Sequence, residues 1–426
     1  MILRVIMENQ SVTKPEPNLF FRWGILLFVS LAMFGNYYIY DSISPLADLL
    51  AKQLKFSDSN IGLLQGIYSV PNVFMVLIGG IIIDKIGTRI STFIFTLLCL
   101  LGAIITASFS DITMMAIGRL VFGLGAESMI VAVTTVIGRW FKGKQLSFAF
   151  GLNLTLARLG SFAALNSPTW AKSMYEYWQT PLLISVAAGV ISIAAVIIYW
   201  GMDAYSEKNF SLRPVPKQDK IILKEIFSFS TSYWFVVMLC VTFYSGIFPF
   251  QTFAVKFFIE THGTTREMGG FLSSMLTLSA MVLTPLFGLL ADYIGKRSLL
   301  MMFGSLLLIP VYLLMAYTHV SLYVPMAMMG IAFSLIPAVM WPSVAIIVDE
   351  AKLGTAYGLM TMIQNIGLAG FNFLVGWAND FSGGYTAGMW IFSSLGFFGL
   401  LFAFLLRRSE LGAHGHGLEN GISKTE

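Results

Sequence analysis

Apolar runs of about 20 residues, long enough to cross a bilayer as a helix, recur along the whole chain. They predict spans near 21–50, 59–83, 91–109, 112–137, 146–169 and 180–202, then 232–260, 267–291, 298–317, 321–348, 355–379 and 385–406. A barrel strand would be shorter and would alternate, so each run reads as a helix. One polar stretch, 202–230, separates the first six from the second six. The expected organisation is a tail at 1–20, a bundle at 21–202, a linker at 203–230, a bundle at 231–407 and a tail at 408–426. The fold class is an all-α membrane protein of twelve transmembrane helices in two pseudo-symmetric six-helix bundles.

Composition strengthens this reading. Hydrophobic residues make up 57% of the 426 positions and charged ones 11%, whereas a soluble domain is nearer half and a quarter. Basic residues set the orientation. With the N-terminus inside, the cytoplasmic segments collect Arg22, Lys85, Arg89, Arg139, Lys142, Lys144, Lys296, Arg297, Lys352, Arg407, Arg408 and the basic residues of the linker. The outer segments hold little beyond Lys52, Lys55, Lys172 and Arg266. Both termini are therefore expected in the cytoplasm.

Several chemistries have no support in the sequence. No basic patch is interleaved with stacking aromatics, so no nucleic-acid partner is expected. Cys99 and Cys240 each sit inside an apolar run, which argues against a disulfide or a metal site. No HExxH or P-loop pattern occurs, so no metal, cofactor or ATP-driven step is expected, and no nucleophile–base cluster marks an enzyme.

The two halves echo each other. The segment from Gly80 through Asp84 and Gly87 to Arg89 closes the second helix, and the one from Gly288 through Asp292 and Gly295 to Arg297 closes the eighth. Both read glycine, three residues, aspartate, two residues, glycine, then basic. A second echo links Phe150-Gly151-Leu152 with Tyr357-Gly358-Leu359 at nearly the same offset. Parallel repeats of this kind place a substrate site at the midplane between the halves.

These loops resemble the signature loop of the major facilitator superfamily, and Arg119-x-x-x-Gly123-x-Gly125 resembles a second motif of that family. The run GRLVFGLGAES, followed by WFKGKQLSFAFGLNLTLARLGS, is similar to the lysosomal dipeptide transporter branch of the superfamily, as are Tyr40-Asp41 and Tyr68-Ser-x-Pro71-Asn72. The resemblance implies alternating access, uniport and a gating role for Asp84, Arg89, Arg139, Asp292, Lys296 and Arg297. In that role Asp84 would pair with Arg139 at the inner end of the fourth helix. The N-terminus carries no acidic dileucine sorting signal, which points to a bacterial-type cytoplasmic membrane. A monomer is expected, with no accessory subunit assumed.

The candidate site lies at 118–160, where Arg119, Glu127 and Arg158 interrupt apolar helices. A charge at the bilayer centre costs about 2.5–3.5 kcal/mol on insertion scales, so such residues normally face a bundle interior or a cavity. At 1.5 Å per residue, Glu127 and Arg158 lie some 15–20 Å from the cytoplasmic edge. Two readings stay open. They form a structural ion pair, or they grip the ammonium and the carboxylate of a zwitterion, Arg158 through its planar fork. Arg119 is placed against Asp41, as a structural pair or a proton-linked switch. Tyr37, Tyr40, Tyr68 and Asn153 would complete the wall of the first half. The second half has no matching charges: Arg158 falls opposite Asn365, and the fourth helix's counterpart carries Pro337, Trp341 and Pro342. Tyr244, Trp341 and Asn365, with Phe243, Gln251 and Gln364, would read substrate shape. The expected substrate is a dipeptide or similar small zwitterion; carboxylates or amino acids, with proton coupling, form the alternative.

Overall fold

The structure is a computed structural model that describes residues 15–141, 145–210, 229–349, 352–413 and 415–420. The tail at 1–14, most of the linker and the last six residues, which the sequence assigns to the cytoplasm, lie outside the described residues, as do Lys142 and Lys144. The described residues form helices joined by short turns, without strands.

Among the described residues, eleven segments are long and apolar enough to cross a membrane. One of them accounts for two crossings. The helix Ser69–Ser108 has 40 residues, about 60 Å if straight and twice a hydrocarbon core of about 30 Å. It breaks at Gly87, whose φ of 81° and ψ of 164° lie in a region essentially reserved for glycine. The two arms run in opposite directions along the helix Ile112–Phe141. Tyr68 and Gly79 meet Gly123 and Ser128 in ascending order, whereas Phe95, Gly102 and Thr106 meet Gly125, Phe122 and Gly118 in descending order. The described residues thus make twelve crossings, and both of their ends emerge on one face, here the terminal face. The second signature loop turns with the same device: Gly295 has φ 65° and Lys296 φ 49°.

Helix ends follow local chemistry. Asn18, Ser57, Ser230 and Thr265 each accept a backbone N–H as N-caps of the first, second, seventh and eighth spans. The sixth span continues to Asn209, past the expected end at 202. This brings Asp203, assigned to the linker, into the bundle, where it is fully buried. Large apolar side chains such as Phe74, Leu289, Leu286 and Phe381 cover the outer surface, as lipid contact requires.

The two bundles meet most tightly at the face away from the termini. Arg266 makes a forked contact to Asp48 (3.1 and 2.6 Å). Lys256 reaches Asp58 at 2.5 Å, and Asn379 donates to the same carboxylate at 3.0 Å. Asp380 accepts the Asp58 and Ser59 amides at 2.8 Å each, capping the helix Asp58–Gly66 from the opposite bundle. A Cβ on Gly62 would collide with the Asn372 carbonyl, so the backbones touch there. The bundles are latched at the far face, while Asp84, Lys85 and Lys296 lie exposed at the terminal face.

Candidate functional site

A cavity of about 270 Å³ lies between the bundles at mid-depth. Its first-half wall is Asn36, Tyr37, Tyr40, Tyr68, Glu127, Arg158 and Ser161, with Phe122, Ala126 and Ile130. Its second-half wall is Tyr244, Phe248, Trp341, Thr361, Gln364 and Leu368. Charge is confined to the first wall, on the fourth and fifth spans.

Glu127 and Arg158 share this cavity without forming an ion pair with one another. Among the described residues neither has a carboxylate or cationic partner within bonding distance. Arg158 instead sits over aromatic faces, 5.7 Å from the Tyr37 ring centroid and 5.5 Å from that of Phe333 in the tenth span. A guanidinium held this way is stabilised by the ring quadrupoles while its donors stay available. The closed structural pair, one of two readings open at the sequence, is not formed.

The far end of the cavity is aromatic. Tyr40 packs edge-on against Tyr68 (4.9 Å) and against Phe248 across the bundle interface (6.1 Å), and Phe248 stacks on Tyr244 (5.6 Å). Tyr68 owes its place to Pro71. Proline lacks an N–H and clashes with the carbonyl four residues back, here Ile67, and the helix Asp58–Gly66 ends just before Tyr68. Gly123 lets the fourth span approach this break: a Cβ there would strike the Tyr68 carbonyl and Pro71.

Arg119, one turn before Gly123, is fully buried and does not pair with Asp41. It donates to the carbonyls of Ile39 (3.1 Å), Tyr40 (3.2 Å) and Leu64 (3.1 Å), and to Gln65 Oε1 (2.9 Å). Those carbonyls belong to the last turns of Leu19–Asp41 and Asp58–Gly66. Helix C-termini leave carbonyls unpaired and carry partial negative charge. Arg119 satisfies two such ends at once, so it needs no carboxylate. Asp41 is buried beside this junction but does not line the cavity.

The sequence profile of the Major Facilitator Superfamily matches residues 29–263 and 250–420, covering both bundles. The chain belongs to the major facilitator superfamily. It is 32% identical over 382 residues to the lysosomal dipeptide transporter MFSD1 of Danio rerio, an alignment covering 86% of this chain and 83% of that protein. Among solved structures, the nucleoside transporter NupG, in a mutant form, superposes with a TM-score of 0.75 at 15% identity, covering 90% of this chain and 99% of that one. A bacterial homologue of the human lysosomal transporter Spinster, inward-facing and occupied, gives 0.71 at 16%, covering 92% and 98%. The twelve crossings and the midplane cavity are those of a facilitator.

The facilitator's signature loops make other contacts than the sequence suggested. Arg139 does not hold Asp84, which is exposed. It reaches Asp203 (3.3 Å) and Glu207 (3.8 Å) at the end of the sixth span, where Arg89 also binds Asp203 at 2.7 Å and Trp140 donates to it at 3.1 Å. These cations are thus neutralised inside their own bundle. In the second copy Arg297 pairs with Asp292 at 2.5 Å, and the Lys296 and Arg297 amides bond the Glu419 and Leu418 carbonyls of the C-terminal segment.

Asn153, Asn365 and Gln251, all expected at the site, fall elsewhere. Asn153 accepts the Ser30 hydroxyl at 3.0 Å between the first and fifth spans. Five residues from Arg158, it lies about 140° around the helix. Asn365 is buried and donates to the Thr361 carbonyl at 3.0 Å; its neighbour Gln364 takes the cavity face. Gln251, on the seventh span, lies at the far-face seam, where its carbonyl accepts the Ser44 hydroxyl. Asn36, Ser161, Phe248 and Thr361 were not anticipated. The echo between the fifth and eleventh spans led to Asn365, four residues beyond Thr361, and Asn36 and Phe248 carry no sequence signal of their own.

Proposed function

We propose that this facilitator moves dipeptides, or zwitterions of similar size, by alternating access. Glu127 takes the ammonium and Arg158 the carboxylate, while Tyr37, Tyr40, Tyr68, Tyr244 and Trp341 enclose the rest. The observation carrying this reading is that two opposite charges face one mid-depth cavity without neutralising each other. A half-buried charge at membrane depth without a partner is costly, and a ligand with both signs removes the cost for both groups. A simple carboxylate would satisfy Arg158 and leave Glu127 unpaired. The sequence likeness to a dipeptide transporter supports the same substrate class.

The terminal face is the cytoplasmic one, because basic residues concentrate there. The far-face latch then makes this state inward-facing. We place the protein in a bacterial-type cytoplasmic membrane as a monomeric uniporter. Asp84, Arg89, Arg139, Asp292, Lys296 and Arg297 would exchange partners across the bundles when that face closes.

A thermal-shift panel on purified protein tests the substrate class. Unblocked dipeptides should raise the melting temperature, while acetylated or amidated forms and free carboxylates should not. Stabilisation by carboxylates alone would favour an organic-anion transporter instead.

A further inference from the structure

Each wall of the cavity contains one side-chain amide whose oxygen accepts a buried thiol. Cys99 Sγ donates to Asn36 Oδ1 at 3.6 Å in the first half, and Cys240 Sγ donates to Gln364 Oε1 at 3.5 Å in the second. The two amides differ at their other end. Asn36 spends its NH₂ group on the Ala126 carbonyl at 3.3 Å. Among the described residues the Gln364 NH₂ group has no protein acceptor, and its side chain lines the cavity. Nearby, Tyr244 Oη accepts Trp341 Nε1 at 2.9 Å, leaving its own proton for an acceptor in the cavity. Thr361 is spent, donating to the Tyr357 carbonyl at 2.9 Å. The second wall therefore offers two neutral donors and no charge, opposite a wall holding one anion and one cation.

We infer that Gln364, with Tyr244 beside it, receives the carbonyl oxygen of the substrate's peptide bond and so distinguishes a dipeptide from a single amino acid. This rests on the dipeptide reading above. A dipeptide bound by its two ends must bury its central amide. A buried carbonyl without a donor costs far more than a bonded one contributes. The donor pair on the uncharged wall meets that requirement, and the thiol of Cys240 fixes which end of the Gln364 amide faces the ligand. An amino acid has both charges and no such carbonyl, so it would leave Gln364 unpaired.

The test uses the full chain in detergent with alanyl-alanine and its thioamide analogue, in which a weak sulfur acceptor replaces the carbonyl oxygen. Wild type should bind the oxygen peptide about tenfold more tightly than the thioamide. Gln364→Leu should lower alanyl-alanine affinity about tenfold and bind both peptides alike. Gln364→Glu, nearly isosteric, keeps a polar cavity side chain and should also lose the preference, which covers poor folding of the leucine variant. A retained oxygen-over-sulfur preference in folded Gln364→Leu or Gln364→Glu would overturn the inference while leaving the dipeptide reading intact. Wild-type protein that binds neither peptide would overturn both.

Discussion

Arg119, Glu127 and Arg158 look alike in the sequence, as charges set in apolar helices, yet the structure puts them to different uses. Arg119 gives its donors to three main-chain carbonyls and one amide oxygen. Replacing it with leucine should orphan those acceptors at about 1–3 kcal/mol each, lowering the apparent melting temperature in detergent. Glu127 and Arg158 close no internal bond, so Glu127→Gln and Arg158→Ala should leave that temperature nearly unchanged. Each should weaken dipeptide binding by about 10- to 100-fold, the worth of a hydrogen bond to a charged group. A loss of stability in these two equal to that of Arg119→Leu would place them in the scaffold. The charged pair was legible because insertion cost makes such residues conspicuous. Arg119's partners were not, because a main-chain carbonyl leaves no mark on the sequence. Asn36 was hidden similarly, and Gln364 was named only together with Gln251 and Asn365, because one amide on an apolar helix reads the same whether it meets a ligand or a neighbouring helix.

At the scale of elements, periodicity and hydropathy located every crossing but misplaced some ends. The sixth helix runs on to Asn209 because the buried Asp203 is neutralised by Arg89 and Arg139, which lie far away in sequence. The turn at Gly87 was legible as one member of a repeated motif, and its counterpart Gly295 also has positive φ. Gly87→Ala should destabilise the protein by about 1–3 kcal/mol, since φ 81° with ψ 164° suits glycine alone. Gly151→Ala is the control. It lies within the fifth span, where an added Cβ meets nothing within 4 Å, and alanine favours helix over glycine. Chemical denaturation of the two variants should separate them, with Gly151→Ala equal to or above wild type. Equal losses would mean that the turn is not constrained as described.

Over the whole molecule, the far-face latch decides which state is populated. Removing one partner of a buried ion pair costs about 3–5 kcal/mol, and the Asp58–Lys256 contact, with side chains 6% and 11% exposed, exists only with that face closed. Lys256→Met should therefore shift the ensemble toward the far-face-open state. Spin labels at Lys55 and His319, on opposite bundles of that face, should show a longer distance component in this variant. A distribution identical to that of the unmutated background would remove Lys256 from the latch. The sequence revealed two bundles and their repeat but not their relative pose, because the latch joins residues about 200 to 320 positions apart that share no motif.

The central claim is that Glu127 and Arg158 grip the two ends of a dipeptide, and uptake of a labelled dipeptide into proteoliposomes tests it most directly. Wild type should take up the peptide and be inhibited by unlabelled dipeptide, but not by its N-acetylated or C-amidated form; Glu127→Gln and Arg158→Ala should take up a low concentration of it at about a tenth of the wild-type rate or less. Wild-type rates in both variants, or inhibition by the end-blocked peptides as strong as by the free one, would contradict it.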